Sequence, residues 1–358
     1  MKFRDFSPKV VEWYLEHHRN LPWRKTRDPY RIWLSEIILQ QTRVLQGLPY
    51  FEEFVRRYPS VQSLAAAKER DVLRLWQGLG YYSRARNLHK CAKVVTQVFQ
   101  GRFPADVDSL RELPGIGDYT AAAIASMAFD VPVAVVDGNV YRVLSRIFGI
   151  RNDILSTRGK RTFAELANQL VPNVGPGLHN QAIMEFGALF CTPRNPRCTE
   201  CPFQRTCIAL KDSSQHTLPV KRKKKKPSSR YFYYFVVEEA SKLRMKERRG
   251  RDIWTGLFDF PLYESSKPLK EKELIKYLPA SRKRNTNPSE GHFISSTYRH
   301  VLTHQIIHAR FIQLPGGSTK SVLLRSTLKD SSMFTKKEVM SLPKPVLIGK
   351  YLHDIGYQ

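Results

Sequence analysis

Over residues 1–210 the apolar side chains recur at intervals of three and four, the repeat of one helix face. The spacing predicts helices in RIWLSEIILQQTRVL (31–45), ERDVLRLWQGLG (69–80) and RARNLHKCAKVVTQVF (84–99). Pro22, Pro29, Pro59, Gly78, Gly101, Pro104 and Gly115 punctuate the pattern, as helix ends require. No long stretch alternates with period two, so this part is expected to be all-α. A different texture begins after LPVKRKKKKPSS (218–229), where six consecutive basic residues, Pro227 and two serines read as a solvated linker. RYFYYFVVEE (230–239), IWTGLFDFPLYE (253–264) and HFISSTYRHVLTHQIIHARFIQL (292–314) are aromatic and β-branched, as strands are. EKELIKYL (271–278) and TKKEVMSL (335–342) read as short helices. The expected organisation is an all-α domain over 1–217, a linker over 218–229 and an α+β domain over 230–358.

Composition narrows the class. Hydrophobic residues make up 42% and charged residues 25% of the 358, a globular balance that excludes a collagen-like or wholly disordered chain. No run approaches the roughly 18 apolar residues of a membrane helix, and the charged start lacks a secretory apolar core. An intracellular soluble protein is expected. Lys and Arg number 59 against 32 Asp and Glu, a net charge of +27. Both halves contribute: residues 1–219 carry 30 basic and 20 acidic side chains, residues 220–358 carry 29 and 12. Such a surplus fits a polyanion partner, because Lys and Arg release counterions from a phosphate backbone.

Of five cysteines, four fall in CTPRNPRCTECPFQRTC: Cys191, Cys198, Cys201 and Cys207, spaced C-x6-C-x2-C-x5-C. A zinc ribbon normally shows two short C-x2-C knuckles, and here there is one. The asymmetric spacing suits a [4Fe–4S] cubane, whose corners need thiolates from four directions. Arg194, Arg197 and Arg205 sit inside these loops and could present cations to phosphate. Cys91 lies on an apolar helix stripe, as a small buried side chain would.

LPGIGDYTAAAIASMAF (113–129) is a glycine-rich turn opening into an alanine-rich helix. Gly115 and Gly117 let backbone amides face a phosphate with no side chain between, although an ordinary helix–helix turn would read the same way. Glu36, set among Ile32, Trp33, Ile37, Ile38 and Leu39, is a carboxylate in an apolar helix; its pKa should rise, which suits a general acid. Asp137 follows an apolar run and precedes a new helix. It is expected to cap that helix and to be held ionised by its amides. One carboxyl raised and one lowered is the arrangement that glycosidic bond cleavage uses.

The first 210 residues resemble the helix-hairpin-helix DNA glycosylases, and within them the MutY family of adenine glycosylases. The matching pieces are LPWR (21–24), SEIILQQT (35–42), QGLGYYSRARNLH (77–89), LPGIGDYTA (113–121), VVDGNV (135–140), NQAIMEFGALFC (180–191) and the four cysteines. The resemblance implies DNA in a cleft and the target adenine flipped into a pocket. It implies that Glu36 protonates adenine at N7 and that Asp137 stabilises the cationic sugar, with Tyr119 and Asn139 assisting. Arg19, Leu21, Trp23, Arg24 and Gln181 match the adenine pocket; Gln41 and Tyr81 match residues that wedge into the opened stack. The related endonuclease III family, acting on oxidised pyrimidines, has a strand-cleaving lysine where this chain has Tyr119. No lysine lies between Lys93 and Lys160, so a monofunctional glycosylase is expected.

The same resemblance implies a Nudix-like second domain that reads 8-oxoguanine opposite the adenine, with GLFDFP (256–261) as its strand–turn signature. No Glu-rich metal helix follows Pro261, so the domain would bind and not hydrolyse. RHVLTH (299–304) places Leu302, Thr303 and His304 where the family carries Phe-Ser-His; Thr303 and His304 are candidate contacts to the base. His300, His304 and His308, four apart, are expected to share a face, as surface or DNA-contacting histidines or as a metal site. The expected protein is a monomeric adenine DNA glycosylase acting on duplex DNA with A:8-oxoguanine or A:G mispairs. It would be cytoplasmic and nucleoid-associated in a bacterium, nuclear in a eukaryote. An oxidised-pyrimidine glycosylase and a non-catalytic iron–sulfur DNA-binding protein are the alternatives.

Overall fold

The computed structural model describes residues 5–222, 227–275, 293–314 and 326–357. Residues 223–226 of the expected linker and the end of the helix expected over 271–278 lie outside them. Chain contacts divide the protein into two units, one of residues 1–66 and 87–224, the other of residues 67–86 and 225–358.

The first unit is helical: α1 (Phe6–His17), α2 (Pro29–Leu39), α3 (Val44–Arg57), α4 (Val61–Ala66), most of α6 (Ser83–Val98), α7 (Val107–Arg111), α8 (Asp118–Phe129), α9 (Gly138–Phe148), α10 (Thr157–Leu170), α11 (Pro176–Leu189) and α12 (Ile208–Lys211). The remaining helix of this half, α5 (Glu69–Leu75), groups with the second unit. The single helix expected over 31–45 is two. α2 stops at Leu39, and Gln41 takes a left-handed φ of 55°. α3 then folds back so closely that a Cβ on Gly47 would stand 2.9 Å from Leu39. The helix expected over 69–80 ends at Leu75, because Gly78 and Gly80 carry φ of 106° and 72°.

One core joins Phe6, Val10 and Trp13 of α1 to Val143 and Ile147 of α9, Phe163 of α10 and Ile183 and Phe186 of α11. α8 is buried almost throughout, from Thr120 to Met127, so it runs between other helices and does not lie on them. Its alanines allow close approach. On α11, a Cβ at Gly177 would come 2.6 Å from the Ser126 carbonyl oxygen, and one at Gly187 would come 2.7 Å from Asn139 Cβ. Glycine at these two positions sets α11 against α8 and against the start of α9.

The second unit is α+β, built on a mixed sheet of order β3-β2-β1-β7-β5. Its elements are β1 (Ser228–Glu239), β2 (Lys242–Glu247), β3 (Phe258–Asp259), β4 (Leu262–Ser265), α13 (Glu271–Ile275), β5 (Phe293–Ile294), β6 (Tyr298–Val301), β7 (Gln305–Leu314), β8 (Ser331–Thr335), α14 (Lys336–Ser341) and α15 (Val346–Asp354). β1 runs parallel to β7 from Ser228 opposite Gln305 to Val237 opposite Leu314, while its other partners are antiparallel. Six successive residues of β1, Phe232–Val237, are buried, so the strand is covered on both faces. Tyr233, Phe235 and Val237 pack with Ile312 on one side. Tyr234 stacks on Phe311, and Phe311 on Tyr351 of α15 at 3.8 Å between ring centroids. The strand expected over 253–264 survives only as β3 and β4. Trp254 and Gly256, with φ of 63° and 79°, turn the chain before them. Among the described residues no helix is long and apolar enough to cross a membrane.

Candidate functional site

Glu36 lies on α2, started by Asp28, whose carboxylate accepts the Tyr30 amide at 2.9 Å, and by Pro29 in the first turn. The helix is buried on nearly all sides from Ile32 to Ile38 and carries Glu36 in with it. Burial pushes the Glu36 carboxyl up to about 7. The Tyr119 hydroxyl, from the first turn of α8, donates to Met184 Sδ at 3.4 Å and stands near enough to Glu36 to oppose that rise in part. The charge of Asp137 acts on the same group and adds to the rise.

Asp137 is the N-cap of α9. Its Oδ1 accepts the amides of Asn139 at 2.8 Å and Val140 at 2.7 Å, and its Oδ2 accepts Asn139 Nδ2 at 2.7 Å. The cap geometry is as expected, but the direction of the pKa is not. Burial raises Asp137 above the usual carboxylate range, and these three hydrogen bonds only moderate it. The separation between the two carboxyls comes instead from donor count. Three donors favour the ionised form of Asp137 and one hydroxyl faces Glu36, so the protonated form is favoured more on Glu36. Asn139 is itself oriented: Arg142 Nη2 donates to its Oδ1 at 2.9 Å, and Arg142 Nε donates to the Cys191 carbonyl at 2.7 Å.

The turn before α8 holds its own conformation. Gly115 is left-handed at φ 81°, and a Cβ there would stand 2.7 Å from Asn87 Cβ, so both backbone and space select glycine. Leu113 and Ile116 are buried and anchor the loop. Gly117 caps α8 without a side-chain acceptor, which leaves the first amides of the helix available to an anion.

Beside this site, Arg19 and Arg24 converge on Glu185 of α11. Arg19 donates from Nε at 2.9 Å and Nη2 at 2.6 Å, Arg24 from Nη1 at 2.8 Å and Nη2 at 2.6 Å. The two guanidiniums overcome the burial of Glu185 and hold its carboxyl down at about 2. Arg24 also lies over the Tyr14 ring at 5.6 Å, and the Tyr14 hydroxyl donates to Gln181 at 3.0 Å. Leu21 and Trp23 are buried, Trp23 edge-on to Phe51. Gln41 is exposed in the break between α2 and α3.

Cys191, Cys198, Cys201 and Cys207 all line one small cavity, with Phe186, Phe190 and Arg146 among its walls. Buried Arg146 reaches Cys191 Sγ at 3.4 Å and the Thr192 carbonyl at 2.7 Å. Burial pushes the Cys201 thiol up to about 12 and raises Cys198 and Cys207. Left to themselves these thiols are neutral, and only a cation among them would draw out thiolates. Four convergent sulfurs, no carboxylate in the wall and an adjacent guanidinium fit an iron–sulfur group with thiolate ligands. Arg194, Arg197 and Arg205 are exposed on the same loops; Arg197 pairs with Glu200 and lies over Phe190 at 4.9 Å.

In the second unit, Tyr81 and Thr303 meet hydroxyl to hydroxyl across a cleft of about 750 Å³, which Trp254, His300, Leu302 and His304 also line. Tyr81 is left-handed at φ 47° and exposed, as are Thr303 and His304. The histidines do not share a face. The chain reverses at 302–304, and Arg299 pairs with His308 while His300 pairs with Ile307, which sends His300 and His308 to opposite sides of the sheet. His300 meets the Trp254 ring, and His308 stacks on Tyr231. Among the described residues no group of three or more His, Cys, Asp or Glu is placed to hold a single metal ion.

Residues 34–169 match the model of the HhH-GPD superfamily of base excision DNA repair proteins. The chain is 36% identical over 304 residues to the adenine DNA glycosylase of Buchnera aphidicola from Schizaphis graminum, covering 85% of each chain. The chain belongs to the adenine DNA glycosylase family. It is 44% identical over 213 residues to the mouse adenine DNA glycosylase, covering 57% of this chain and 41% of that one. Among solved structures, a thermostable thymine-DNA glycosylase superposes with a TM-score of 0.55 at 30% identity, over 59% of this chain and 97% of that one. An endonuclease III–DNA complex shares the fold at a TM-score of 0.51 and 22% identity.

Within an adenine DNA glycosylase of this sequence, the residue that sequence reasoning passed over is Glu185. It sits in NQAIMEFGALFC, a carboxylate inside an apolar helix, the same signal that singled out Glu36. What distinguishes the two is invisible in one dimension: Glu185 meets two arginines from 161 and 166 residues away.

Proposed function

We propose that this chain removes adenine from duplex DNA where it is mispaired with 8-oxoguanine or guanine, leaving an abasic site in an uncut strand. The observation that carries the reading is the coupled pair of carboxyls around Tyr119: Glu36, buried and raised to about 7, and Asp137, the better-solvated by protein donors. The flipped base is protonated at N7 by Glu36, and the glycosidic C–N bond then breaks with its electron pair leaving on adenine. The cationic sugar faces the Asp137 carboxylate, which Asn139 and the α9 amides hold in place. Water forms the new C–O bond and passes its proton to the Glu36 carboxylate, which restores the acid. Tyr119 keeps the Glu36 carboxyl oriented and supplies no amine, so no Schiff base forms on this residue.

Arg19, Arg24, Leu21, Trp23 and Gln181 form the surroundings of the base, and Glu185 fixes both arginines. Gln41 and Tyr81 fill the space the flipped nucleotide vacates, and Gly115 and Gly117 take a backbone phosphate. The second unit is a Nudix-like reader of the opposite base, with Thr303 and His304 as contacts. Cys191, Cys198, Cys201 and Cys207 would hold a [4Fe–4S] cluster. When bound, it supplies cross-links that set the shape of the 191–207 loops. The protein is a monomer that works where the genome is, in bacterial cytoplasm or a nucleus.

Single-turnover processing of a duplex carrying adenine opposite 8-oxoguanine, quenched with and without alkali, tests this reading. Strand scission only after alkali is the expected result. Scission without alkali overturns the monofunctional assignment, and an intact strand under both quenches, with the duplex bound, overturns the adenine assignment.

A further inference from the structure

Residues 76–82 form a turn that a free chain would rarely adopt. Gly78, Gly80 and Tyr81 have φ of 106°, 72° and 47°, and left-handed backbone is costly for a tyrosine. The turn is braced from inside: Trp76 Nε1 donates to the Gly80 carbonyl at 3.0 Å, and Arg84, lying over the Trp76 ring at 5.0 Å, donates to the carbonyls of Leu79 and Gly80.

It is also braced from far along the chain. The Lys344 amide donates to Gln77 Oε1 at 3.4 Å, and the Tyr82 hydroxyl donates to the Lys344 carbonyl at 3.4 Å, so the peptide units around Lys344 clasp both ends of the turn. Lys344 itself is 2% exposed. Its Nζ donates to the carbonyls of Met340 at 3.2 Å and Leu342 at 3.0 Å, which close the end of α14. Arg74, one turn before Gln77, donates to the same two carbonyls. A buried ammonium spent wholly on carbonyls is an expensive way to fill space. Here it fixes the backbone that grips the turn.

We propose that Lys344, acting with Arg74 and Gln77, is a positioning residue for opposite-base discrimination: it holds the 76–82 turn so that Tyr81 stands across the cleft from Thr303. This rests on the reading of Tyr81 and Thr303 as contacts to the opened DNA. Lys344 touches neither base nor sugar. Its effect passes through the turn to the relative placement of two hydroxyls.

The test is hydrogen exchange of the full chain in which Lys344→Met keeps the stem and loses the ammonium, read together with duplex binding. Exchange in peptides over 76–86 should quicken about tenfold while β1 and β7 keep their protection. The ratio of affinities for adenine opposite 8-oxoguanine and opposite guanine should fall several-fold, with the saturating single-turnover excision rate unchanged. Unaltered exchange over 76–86, or exchange rising equally in β1 and β7, overturns the proposal, as does an unchanged affinity ratio beside a loosened turn. Gln77→Ala, which removes the clasp without touching the buried ammonium, is read by the same criteria if Lys344→Met does not fold. A parent chain that excises no adenine would sink the proposed function, whereas the exchange result would still decide whether Lys344 holds the turn.

Discussion

Glu36 and Asp137 illustrate how two like residues acquire opposite duties within one small volume. Both are raised by burial, and what separates them is the number of donors aimed at each. The acid must carry its proton when adenine arrives, and above about 7 the protonated fraction of Glu36 falls tenfold for each pH unit. Single-turnover excision should therefore decline with unit slope above neutrality, and fall again in acid once the Asp137 carboxylate takes up a proton. A rate that rose with pH through 7 would remove Glu36 from the role of acid. Glu36→Gln, unable to deliver the proton, should lower the rate by a factor on the order of a hundred or more while leaving duplex affinity in place.

At the scale of elements, the site depends on how closely α11 lies against α9. Gly187 is the point of contact, with Asn139 Cβ 2.7 Å and the Asn139 carbonyl oxygen 3.1 Å from where a Cβ would be. Gly187→Ala forces the helices apart or turns Asn139 aside. We expect about 1–3 kcal/mol of lost stability in chemical denaturation and slower excision, because Asn139 is a donor to Asp137. Excision at the parental rate would mean that the cap tolerates the shift. Such close approaches are where sequence reasoning stopped. Helical period located α6, a glycine-rich turn before an alanine run located α8, and position within an apolar run located Glu36, because those signals are local. The break at Gln41 was not legible, since it follows from α3 lying on α2. Nor was the turn at Trp254, whose left-handed backbone no propensity announces, nor β2, a short charged strand whose alternate burial appears only once β8 is beside it. The histidine spacing misled for the same reason: a reversal at 302–304 changes which residues are neighbours.

For the molecule as a whole, the surplus of 27 positive charges sets the terms on which it meets DNA. Affinity for duplex should fall linearly on a double-logarithmic plot against salt, with a slope of about −0.9 for each phosphate neutralised. Undamaged duplex should show nearly the same slope as mispaired duplex, because base recognition releases no further counterions. A salt-independent affinity would mean that the basic surface is not the DNA-facing one.

The placement of residues 67–86 in the second unit has a consequence for how the chain is made. Arg74 finds its carbonyl partners 266 and 268 residues later. Leu73 meets Gly256, which is made earlier but still long after α5. During synthesis α5 leaves the ribosome long before these partners exist, so its contacts to Gly256 and to the carbonyls of Met340 and Leu342 form only after those residues have emerged. Closing so long a loop costs little more than closing a short one, since the entropy grows only with the logarithm of length. What it does change is order: the helical unit can condense early, whereas the turn that carries Tyr81 is completed last.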